Sequence, residues 1–330
     1  MTTPLPVSVV IACHTEKREK QIRRAVASVL SQDPAPVEVV LVVDHNESLR
    51  ARLHDLLPGV AVVPNRFARG ASGARNTGAA AATTGLVAFL DDDAAAEPGW
   101  LAGLLDAVER PGVVGAGGFV AAEWSSGAPG WFPGEFNWVV GASYDGSPTT
   151  LTPVRNGWAE NMIVRRDAFA AVGGFRTGFG KLGAHSRPED TDLCIRLQES
   201  GGSWLFQPAA VVLHAVPAER STVPFFLRRC WHEGRGKADL ERLLGDPAAA
   251  RAEERGYVRV VLPRGLARHL ARAARTGRPV HLARAGMLVA GLVATLAGYG
   301  WQRACDLRRG PVAPPEAARI PSDDELAAAS

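Results

Sequence analysis

Residues 86–93 constrain the fold of this chain most, because they join an apolar run to three consecutive carboxylates. The run 86–90 is typical of a strand that is buried on both faces of a mostly parallel sheet. We therefore expect Asp91, Asp92 and Asp93 at the carboxyl end of that strand, where open α/β sheets bind ligands. Neighbouring carboxylates raise each other's pKa, and a divalent cation relieves that repulsion. A solvated acidic turn would produce the same local pattern, so the triplet alone leaves both interpretations open.

A glycine-bearing turn and an alanine-rich helix come immediately before this strand. Gly70 lets the backbone approach a ligand closely, and Arg75 together with the amino-terminal end of the helix favours an anion. The spacing Gly-x-x-x-x-Arg-Asn-x-Gly runs from Gly70 to Gly78, and the following strand ends in Asp-x-Asp. This combination resembles glycosyltransferase family 2, whose members transfer sugars from nucleotide donors and have the GT-A fold. The similarity extends over most of residues 5–240.

Alternating strand and helix patterns predict an α/β fold. β-branched runs end near Ala12 and Asp44, and a segment with helical character follows each of them. Such alternation is typical of a doubly wound, mostly parallel sheet flanked by helices, which the GT-A resemblance also implies. The length of 330 residues allows one large domain with a C-terminal helical appendage. We expect a catalytic domain over 1–240 (a nucleotide-sugar half near 1–120 and an acceptor half near 121–240), an appendage over 241–310 and a disordered tail over 311–330.

Charge and cysteine content narrow the choice of partner and compartment. The 37 Lys and Arg residues nearly balance the 34 Asp and Glu residues, so no nucleic-acid partner is expected. The four cysteines show neither pairing nor metal spacing, and no apolar signal segment opens the chain, which favours a reducing, cytoplasmic location.

The last third of the chain is different in character. An arginine-rich segment, 251–284, precedes an uncharged apolar run, 285–301. That run is shorter than the roughly 20 residues that a spanning helix needs. We therefore expect it either to lie on the inner face of the cell membrane without spanning it or to pack on the catalytic domain.

The resemblance implies a donor pocket at the ends of the strands. In the family, the segment after the first strand surrounds the nucleotide base, and a basic segment near the end of the domain closes over the diphosphate. Asp44 is a candidate from the sequence alone, because strand-end acids face the ligand crevice in this fold class, although it could instead cap the next helix. Arg235 and Lys237 could equally be solvated surface charges. The expected donor-binding residues are Ala12, Thr15, Glu16, Asp44, Gly70, Arg75, Asp91, Asp92, Arg235 and Lys237.

The resemblance also implies a divalent cation, Mn²⁺ or Mg²⁺, at the carboxylate triplet. Oxygen ligands suit both ions. The expected metal ligands are Asp93, Asp91 and His214. His214 ends an apolar strand pattern, and a structural role explains that position as readily as metal binding does.

A second group of acids follows Pro188, which is well placed to begin a helix. The macrodipole favours acids in the first turn of a helix, so these residues could be purely structural. In the family a similar Glu-Asp pair supplies the catalytic base. The resemblance carries that role to Asp190, with Glu189 and Asp192 as neighbours that orient it.

An irregular segment, residues 123–153, is rich in glycine, proline and aromatic residues. Its rings could cover the cleft and stack on a sugar, or they could pack against the edge of the sheet. Further along the chain, Trp158 and Asn161 lie in a segment that resembles the acceptor end of the family's cleft. They are the expected acceptor-binding residues.

The resemblance implies a metal-dependent, inverting glycosyltransferase, and the two acidic groups agree with it. We expect a nucleoside diphosphate sugar, with a UDP-sugar first, as the donor, and a hydroxyl group as the acceptor, on a lipid-linked, cell-envelope glycan or secondary-metabolite molecule. A sugar-phosphate nucleotidyltransferase would use similar carboxylates, but residues 12–16 lack its glycine-rich loop. A non-catalytic sugar-nucleotide-binding protein is a third alternative, which the presence of both acidic groups disfavours.

Overall fold

The computed structural model describes residues 5–182, 185–244 and 256–307. Its centre is a mixed, largely parallel β-sheet flanked by helices, as predicted. The strands follow the order β3-β2-β1-β4-β8-β6-β11-β5, with β7 beside β11, and β9 and β10 form a separate pair. The strands are β1 (Val7–Cys13), β2 (Glu38–Val43), β3 (Ala61–Pro64), β4 (Leu86–Asp91), β5 (Ala94–Ala96), β6 (Val113–Trp124), β7 (Thr152–Pro153), β8 (Asn161–Arg165), β9 (Gly180–Leu182), β10 (His185–Arg187) and β11 (Ser203–Val216).

The helices cover the sheet and continue beyond it into a C-terminal group. They are α1 (Glu19–Leu30), α2 (Glu47–Leu56), α3 (Ala71–Ala81), α4 (Trp100–Val108), α5 (Arg166–Ala171), α6 (Glu189–Glu199), α7 (Val223–Leu244), α8 (Leu262–Thr276) and α9 (Pro279–Asp306). Short 3-10 turns cover Glu16–Arg18, Gly134–Val140 and Ala218–Arg220, and a π-helical turn covers Tyr257–Val261.

The parallel part of the sheet brings three strand ends to one edge. Strand β1 lies between β2 and β4 and runs parallel to both, so these strands are buried and apolar. Ala12 lies beside Asp91 in the pairing register, and the backbone amide of Asp44 donates a hydrogen bond to the carbonyl oxygen of Cys13 at 2.7 Å. Asp44, the residues after β1 and the carboxylate triplet therefore meet at the edge where ligands bind in α/β sheets.

The long strand β11 brings His214 to the same edge. It runs parallel to β6 and antiparallel to β5, which begins directly after the triplet. His214 is paired with Ala94, and the amide of Ala215 donates to the carbonyl oxygen of Asp93 at 2.9 Å. Backbone pairing thus places His214 next to Asp93, although more than 100 residues separate them in the sequence.

Helix α3 reaches this edge because a glycine lets it approach β1. A Cβ atom at Gly78 would collide with Val10 Cγ1, so the contact requires a residue without a side chain. Gly70, immediately before α3, has a φ of 129°, which L-residues with side chains rarely adopt. Between these two glycines, the helix carries Arg75 in a buried position facing the site.

The aromatic segment 123–153 packs into the protein and does not form a loose cover. Phe132 and Phe136 are buried, and their ring centroids lie 5.5 and 5.3 Å from that of Phe226 on α7. Tyr144 and Tyr257 meet edge to face at 5.1 Å. The rings are therefore packed, but on α7 and Tyr257 and not against the edge of the sheet, and stacking of this segment on a sugar stays a prediction.

Helix α9 packs along α7 through small residues. A Cβ atom at Gly291 would contact the ring of Phe136, and one at Gly298 would collide with the carbonyl oxygen of Trp231. This close approach shows that the appendage packs on the catalytic domain. The predicted boundary at residue 240 falls inside α7, which continues to Leu244, and the predicted tail at 311–330 lies outside the described residues.

Helix α9 is also long enough, and apolar enough, to cross a membrane. It has 28 residues, and only 17% of its most apolar window is buried. The apolar run 285–301 is therefore the middle of a longer helix, because α9 begins at Pro279 and ends at Asp306.

We expect Gly298→Ala to lower the free energy of unfolding by about 1–3 kcal/mol, because its Cβ would strike the backbone of α7, which cannot rotate away. The measurement is urea denaturation of the full chain. Gly286→Ala is the matched control on the same helix, since a Cβ there meets no atom within 4 Å. The control should leave stability unchanged or raise it by up to about 1 kcal/mol. Equal effects of the two substitutions would contradict the packing of α9 on α7.

Candidate active site

The carboxylates of the triplet pair with two arginines from different helical segments. Arg75 Nη2 lies 2.6 Å from Asp91 Oδ1, and Arg18 Nη1 lies 2.6 Å from Asp92 Oδ1. Arg18 Nη2 also lies 3.0 Å from Asp93 Oδ2. Asp92 and Asp93 are only 3% and 8% exposed, so the triplet is not a solvated turn. Arg18 was not among the predicted site residues, because an isolated arginine after the first strand carries no recognisable pattern.

The two buried acids of the triplet differ in their protonation behaviour. Burial raises the pKa of Asp92 to about 7, although the charge of Arg18 acts in the opposite direction. Burial also opposes ionisation of Asp93, but the positive charges of His214 and Arg18 outweigh it and hold the pKa of Asp93 low, at about 2. Asp93 is therefore the permanent anion of the pair. Among the described residues, Asp92 Oδ2 is buried without a hydrogen-bond partner.

His214 is oriented so that one ring nitrogen faces the acids. Its Nδ1 lies 2.8 Å from the carbonyl oxygen of Gly141, which can only accept, so Nδ1 carries a proton. Its Nε2 lies 3.6 Å from Asp93 Oδ1 and 3.9 Å from Glu160 Oε2. Burial disfavours the charged ring, but the neighbouring carboxylates of Glu160 and Asp93 raise the pKa of His214 to about 9.

Glu160 is a member of the site that the sequence analysis missed. Burial raises the pKa of Glu160 to about 8. The positive charge of His214 lowers this pKa, whereas the negative charges of Asp91 and Asp93 raise it further. Its position immediately before β8, next to the predicted Asn161, was the only signal available. Asp44 and the triplet were predicted because they are acids at the ends of buried strands, and the same pattern applies to Glu160.

These residues fit a divalent cation that is completed by a ligand. Among the described residues, no three His, Cys, Asp or Glu side chains form a ready-made metal centre. Magnesium sites commonly use one or two carboxylates together with substrate phosphates. Asp93 and His214 Nε2 supply an anionic oxygen and a nitrogen, while Asp91 is already engaged by Arg75. The donor set therefore favours Asp93 as the primary ligand. If His214 Nε2 also binds the ion, that nitrogen must first lose its proton.

Arg75 joins the triplet to the second acidic group. Its Nη1 lies 3.2 Å from Glu189 Oε1, while its Nη2 holds Asp91, and only 6% of its side chain is exposed. Burial alone would lower the pKa of this guanidinium, but the two carboxylates raise it above its ordinary value. A buried charge paired on both sides fixes the start of α6 beside the end of β4.

Asp190 lies at the start of α6 and has the environment of a proton acceptor. The backbone amide of Thr191 donates to Asp190 Oδ1 at 2.7 Å. Burial and the charge of Glu189 raise the pKa of Asp190 to about 7, with a contribution from Glu233 on α7. A carboxyl group with a pKa near neutrality can exchange a proton at physiological pH.

Asp192 does not orient Asp190, contrary to expectation. It is fully buried and accepts hydrogen bonds from Arg176 Nη1 at 2.6 Å and from Arg196 Nη2 at 2.7 Å. These bonds turn its carboxylate towards the segment before β9 and into α6 itself. Asp192 therefore stabilises the fold around the helix and does not belong to the site.

Asp44 holds the turn that leads into α3. Its Oδ2 accepts from the amide of Gly70 at 2.9 Å, and its Oδ1 accepts from Asn65 Nδ2 at 2.6 Å. The N-cap of α2 is instead Asn46, whose side chain accepts from Leu49 N at 3.1 Å. The helix-capping alternative for Asp44 is therefore wrong, and its role towards a donor stays a prediction.

The predicted base-binding segment forms the turn that positions Arg18. Thr15 Oγ1 accepts from the amide of Lys17 at 3.4 Å and begins the 3-10 turn Glu16–Arg18. Glu16 is exposed and Ala12 is half-buried at the end of β1. Donor binding by Ala12, Thr15 and Glu16 stays a prediction.

The structure does not bring Asn161 to the cleft. Asn161 is fully buried, its Oδ1 accepts from Trp100 Nε1 at 2.8 Å, and its Nδ2 donates to the carbonyl oxygens of Phe119 and Ala210, both at 3.0 Å. With these bonds the amide cross-links the core and has no donor left for an acceptor. Trp158 is half-buried, and its contact with an acceptor stays a prediction.

The two predicted basic residues of α7 lie on opposite sides of the helix. Lys237 Nζ lies 3.4 Å from Glu233 Oε1, on the face whose charge reaches Asp190. Arg235 is turned away from the site, because its Nε donates to Gln302 Oε1 on α9 at 3.1 Å. Residues two apart on a helix point in nearly opposite directions, so at most one of the pair can face the donor.

Comparison with known sequences identifies the family of this chain. The model of glycosyl transferase family 2 matches residues 8–173. The glucosyl-dolichyl phosphate glucuronosyltransferase of Haloferax volcanii is 34% identical over 245 residues, which cover 72% of this chain and 78% of that protein. Further curated relatives are matched over 53% or 37% of their own lengths.

Solved structures agree on the fold. The mannosyltransferase PcManGT from Pyrobaculum calidifontis, in complex with GDP-Man and Mn²⁺, matches 92% of this chain and 89% of its own, with 19% identity and a TM-score of 0.57. GalNAc-T7 with UDP, GalNAc and Mn²⁺ matches 78% of this chain and 54% of its own, with 17% identity and a TM-score of 0.52. Because the family model spans half of the chain and the Haloferax relative is matched over most of both proteins, this chain belongs to glycosyl transferase family 2 and is a glycosyltransferase of the GT-A fold.

Proposed function

We propose that this enzyme transfers a sugar from a nucleoside diphosphate sugar to an acceptor hydroxyl, with inversion at the anomeric carbon and with the help of Mn²⁺ or Mg²⁺. The observation that carries this proposal is the buried Arg75, which ties Asp91 of the triplet to Glu189, the neighbour of Asp190. An acidic donor site and a candidate base are thereby held in one cleft. A non-catalytic sugar-binding protein would not need the second acidic group, and family membership argues against a nucleotidyltransferase.

Asp190 acts as the general base in this proposal. Its Oδ1 is held by the amide of Thr191, and no described group bonds its Oδ2, which can accept the proton of the acceptor hydroxyl. A pKa of about 7 keeps a large fraction ionised at neutral pH without making the carboxylate too weak a base. Attack from the side opposite the leaving group by a base-activated hydroxyl inverts the anomeric centre.

Asp93 and His214 would hold the cation, and Lys237 lies on the face of α7 that could contact the diphosphate. When bound, the cation would neutralise charge on the departing diphosphate as a Lewis acid. The low pKa of Asp93 favours this assignment, because the residue is ionised at every physiological pH. The positive groups around the triplet, above all Arg75 and Arg18, would keep the three acids from repelling an anionic donor.

The proposal also specifies the chemical class of the donor and of the acceptor. A UDP-sugar is the first candidate, supported by the UDP bound to GalNAc-T7, whereas PcManGT binds GDP-Man. A lipid-linked acceptor is supported by the name of the Haloferax relative, which refers to a glucosyl-dolichyl phosphate. Incubation with a panel of nucleotide sugars and Mn²⁺, followed by measurement of the released nucleoside diphosphate, tests the donor assignment.

A membrane location is supported by the outer surface of α9. Exposed apolar residues recur along it at helical spacing, at Leu282, Val289, Val293 and Leu296. The neighbouring α8 exposes arginines at its surface, which would favour an anionic lipid headgroup region. Since the inner face of α9 is packed on α7, we propose that α9 lies on the cytoplasmic face of the membrane and does not cross it.

We expect Asp190→Asn to lower turnover about 10²–10⁴-fold while donor affinity changes little, because a base acts on the acceptor proton in the transition state. Turnover is followed as nucleoside diphosphate release, and affinity by calorimetry. Asp192→Asn is the matched control: it breaks buried ion pairs and should cost about 3–5 kcal/mol of stability with near-normal specific activity in the folded fraction. Retention of more than about a tenth of transfer by Asp190→Asn would exclude this residue as the base.

We expect Glu189→Gln to move the acid limb of the pH profile of kcat/KM to lower pH, by about one unit. Asp190 must be ionised to accept a proton, so activity should fall as the pH drops below its pKa of about 7. Removing the charge of Glu189 lowers that pKa, whereas Glu189→Asp keeps the charge and should leave the limb in place. A limb that stays unchanged in Glu189→Gln would show that the titrating group is not under the influence of Glu189.

We expect the full-length protein to bind vesicles containing anionic lipid and to be released by high salt or alkaline carbonate. The double substitution Val293→Asp with Leu296→Asp should weaken vesicle binding by about tenfold or more, because both side chains are exposed and apolar. Leu30→Asp is the control, since Leu30 is similarly exposed but lies on α1. Resistance to carbonate extraction would instead indicate that α9 spans the membrane.

A further inference from the structure

Arg18 occupies the position of a cation between two carboxylates of the triplet. Its Nη1 lies 2.6 Å from Asp92 Oδ1 and its Nη2 lies 3.0 Å from Asp93 Oδ2, so one guanidinium bridges two acids. Such a two-pronged arrangement uses the planar fork that distinguishes arginine from lysine. The bridge joins the turn after β1 to the acids after β4, and it is independent of the Arg75 bridge to Asp91.

The bridge leaves little room for a second cation at the same oxygens. Arg18 takes one oxygen each from Asp92 and Asp93, and the remaining Asp92 oxygen is buried without a hydrogen-bond partner among the described residues. An ion that binds Asp93 therefore competes with the guanidinium, whose Nη2 lies 3.0 Å from Asp93 Oδ2. The Arg18 side chain is 30% exposed, whereas those of Asp92 and Asp93 are 4% and 7% exposed, so the arginine can move towards solvent while the acids stay in place.

We propose that Arg18 is a displaceable internal counter-ion: it pairs with Asp92 and Asp93 until a divalent cation arrives, and it then turns to the diphosphate of the donor. This inference rests on the proposed metal-dependent function and adds the residue that couples metal binding to donor binding. A divalent ion replaces a single positive charge and binds the carboxylates directly. The released guanidinium can form a fork of hydrogen bonds with a phosphate. Metal and nucleotide then bind cooperatively, because the binding of each raises the affinity of the protein for the other.

The test measures Mn²⁺ binding in the absence of nucleotide, by calorimetry on the full-length protein after EDTA treatment. Arg18→Gln should bind Mn²⁺ alone at least about tenfold more tightly than the wild type, because no guanidinium competes with the ion at Asp93. With Mn²⁺ saturating, the same variant should bind UDP about tenfold more weakly, because the arginine–phosphate contact is lost. Arg18→Lys keeps the positive charge without the planar fork. Its affinities for Mn²⁺ and for UDP should therefore lie between those of the wild type and those of Arg18→Gln.

Arg24→Gln is the matched control. Arg24 lies on α1, within two turns of Arg18, and also pairs with a carboxylate, that of Glu123, outside the triplet. This variant should match the wild type in both measurements. Arg18→Gln leaves two buried acids without their counter-ion, so thermal unfolding is recorded with EDTA and with Mn²⁺. Mn²⁺ should raise the Tm of Arg18→Gln more than that of the wild type.

The outcomes separate the role of Arg18 from the metal site itself. In one outcome, Arg18→Gln binds Mn²⁺ as tightly as the wild type or more weakly, and Asp93→Asn does not bind it. That result would overturn the counter-ion role of Arg18 but would support the metal site. Absence of Mn²⁺ binding in every variant, even with UDP present, would overturn both this inference and the proposed metal dependence. Tighter Mn²⁺ binding with unchanged UDP affinity would overturn the transfer of Arg18 to the diphosphate.

Discussion

The ion pairs of Arg75 are the interaction on which the rest of the site depends. One buried guanidinium holds Asp91 at the end of β4 and Glu189 at the start of α6, which lie about 100 residues apart in the chain. A buried charge is tolerable only when it is paired, and removal of one partner leaves the other uncompensated. The helix that carries Arg75 can lie close to the sheet only because Gly78 presents no side chain to Val10. Backbone packing and site electrostatics are therefore linked at this position.

Burial makes neighbouring acids behave differently at the same strand end. Without bulk water, the partners of each carboxylate decide its charge: His214 and Arg18 keep Asp93 ionised, while burial and like charges raise the pKa values of Asp92, Glu160 and Asp190. Such separation of pKa values within one cleft is how a site provides a permanent anion beside groups that exchange protons near neutral pH. Ligand binding and proton transfer can then be assigned to different carboxylates.

Helix α7 connects the site to the surface of the molecule. One of its faces carries Glu233 and Lys237 towards Asp190, and another face packs on α9 through Gly234 and Arg235. The outer surface of α9 is apolar and exposed. An acceptor held at that surface by a lipid chain would therefore be separated from the base by only two packed helices.

The sequence by itself determined the elements whose patterns are local. An apolar run ending in acids marks a buried strand, glycines at fixed spacing mark a helix that approaches it closely, and Pro188 followed by acids marks a helix start. These patterns placed the triplet correctly at the end of β4, Arg75 on α3 and Asp190 at the start of α6, because backbone geometry depends mainly on neighbouring residues.

Only the tertiary structure decided which partner each side chain meets. Arg18 and Glu160 come from irregular segments without periodicity, yet they lie within the acid cluster because β1 and β8 flank β4. Asn161 lies in the segment that resembles the acceptor end of the cleft, but its amide faces Trp100 and two carbonyl groups of the core. Arg235 and Lys237 are two positions apart, and the direction of each was fixed only when α9 packed on one side of α7. Contacts between segments distant in sequence depend on how sheets and helices stack, and no local pattern records that choice.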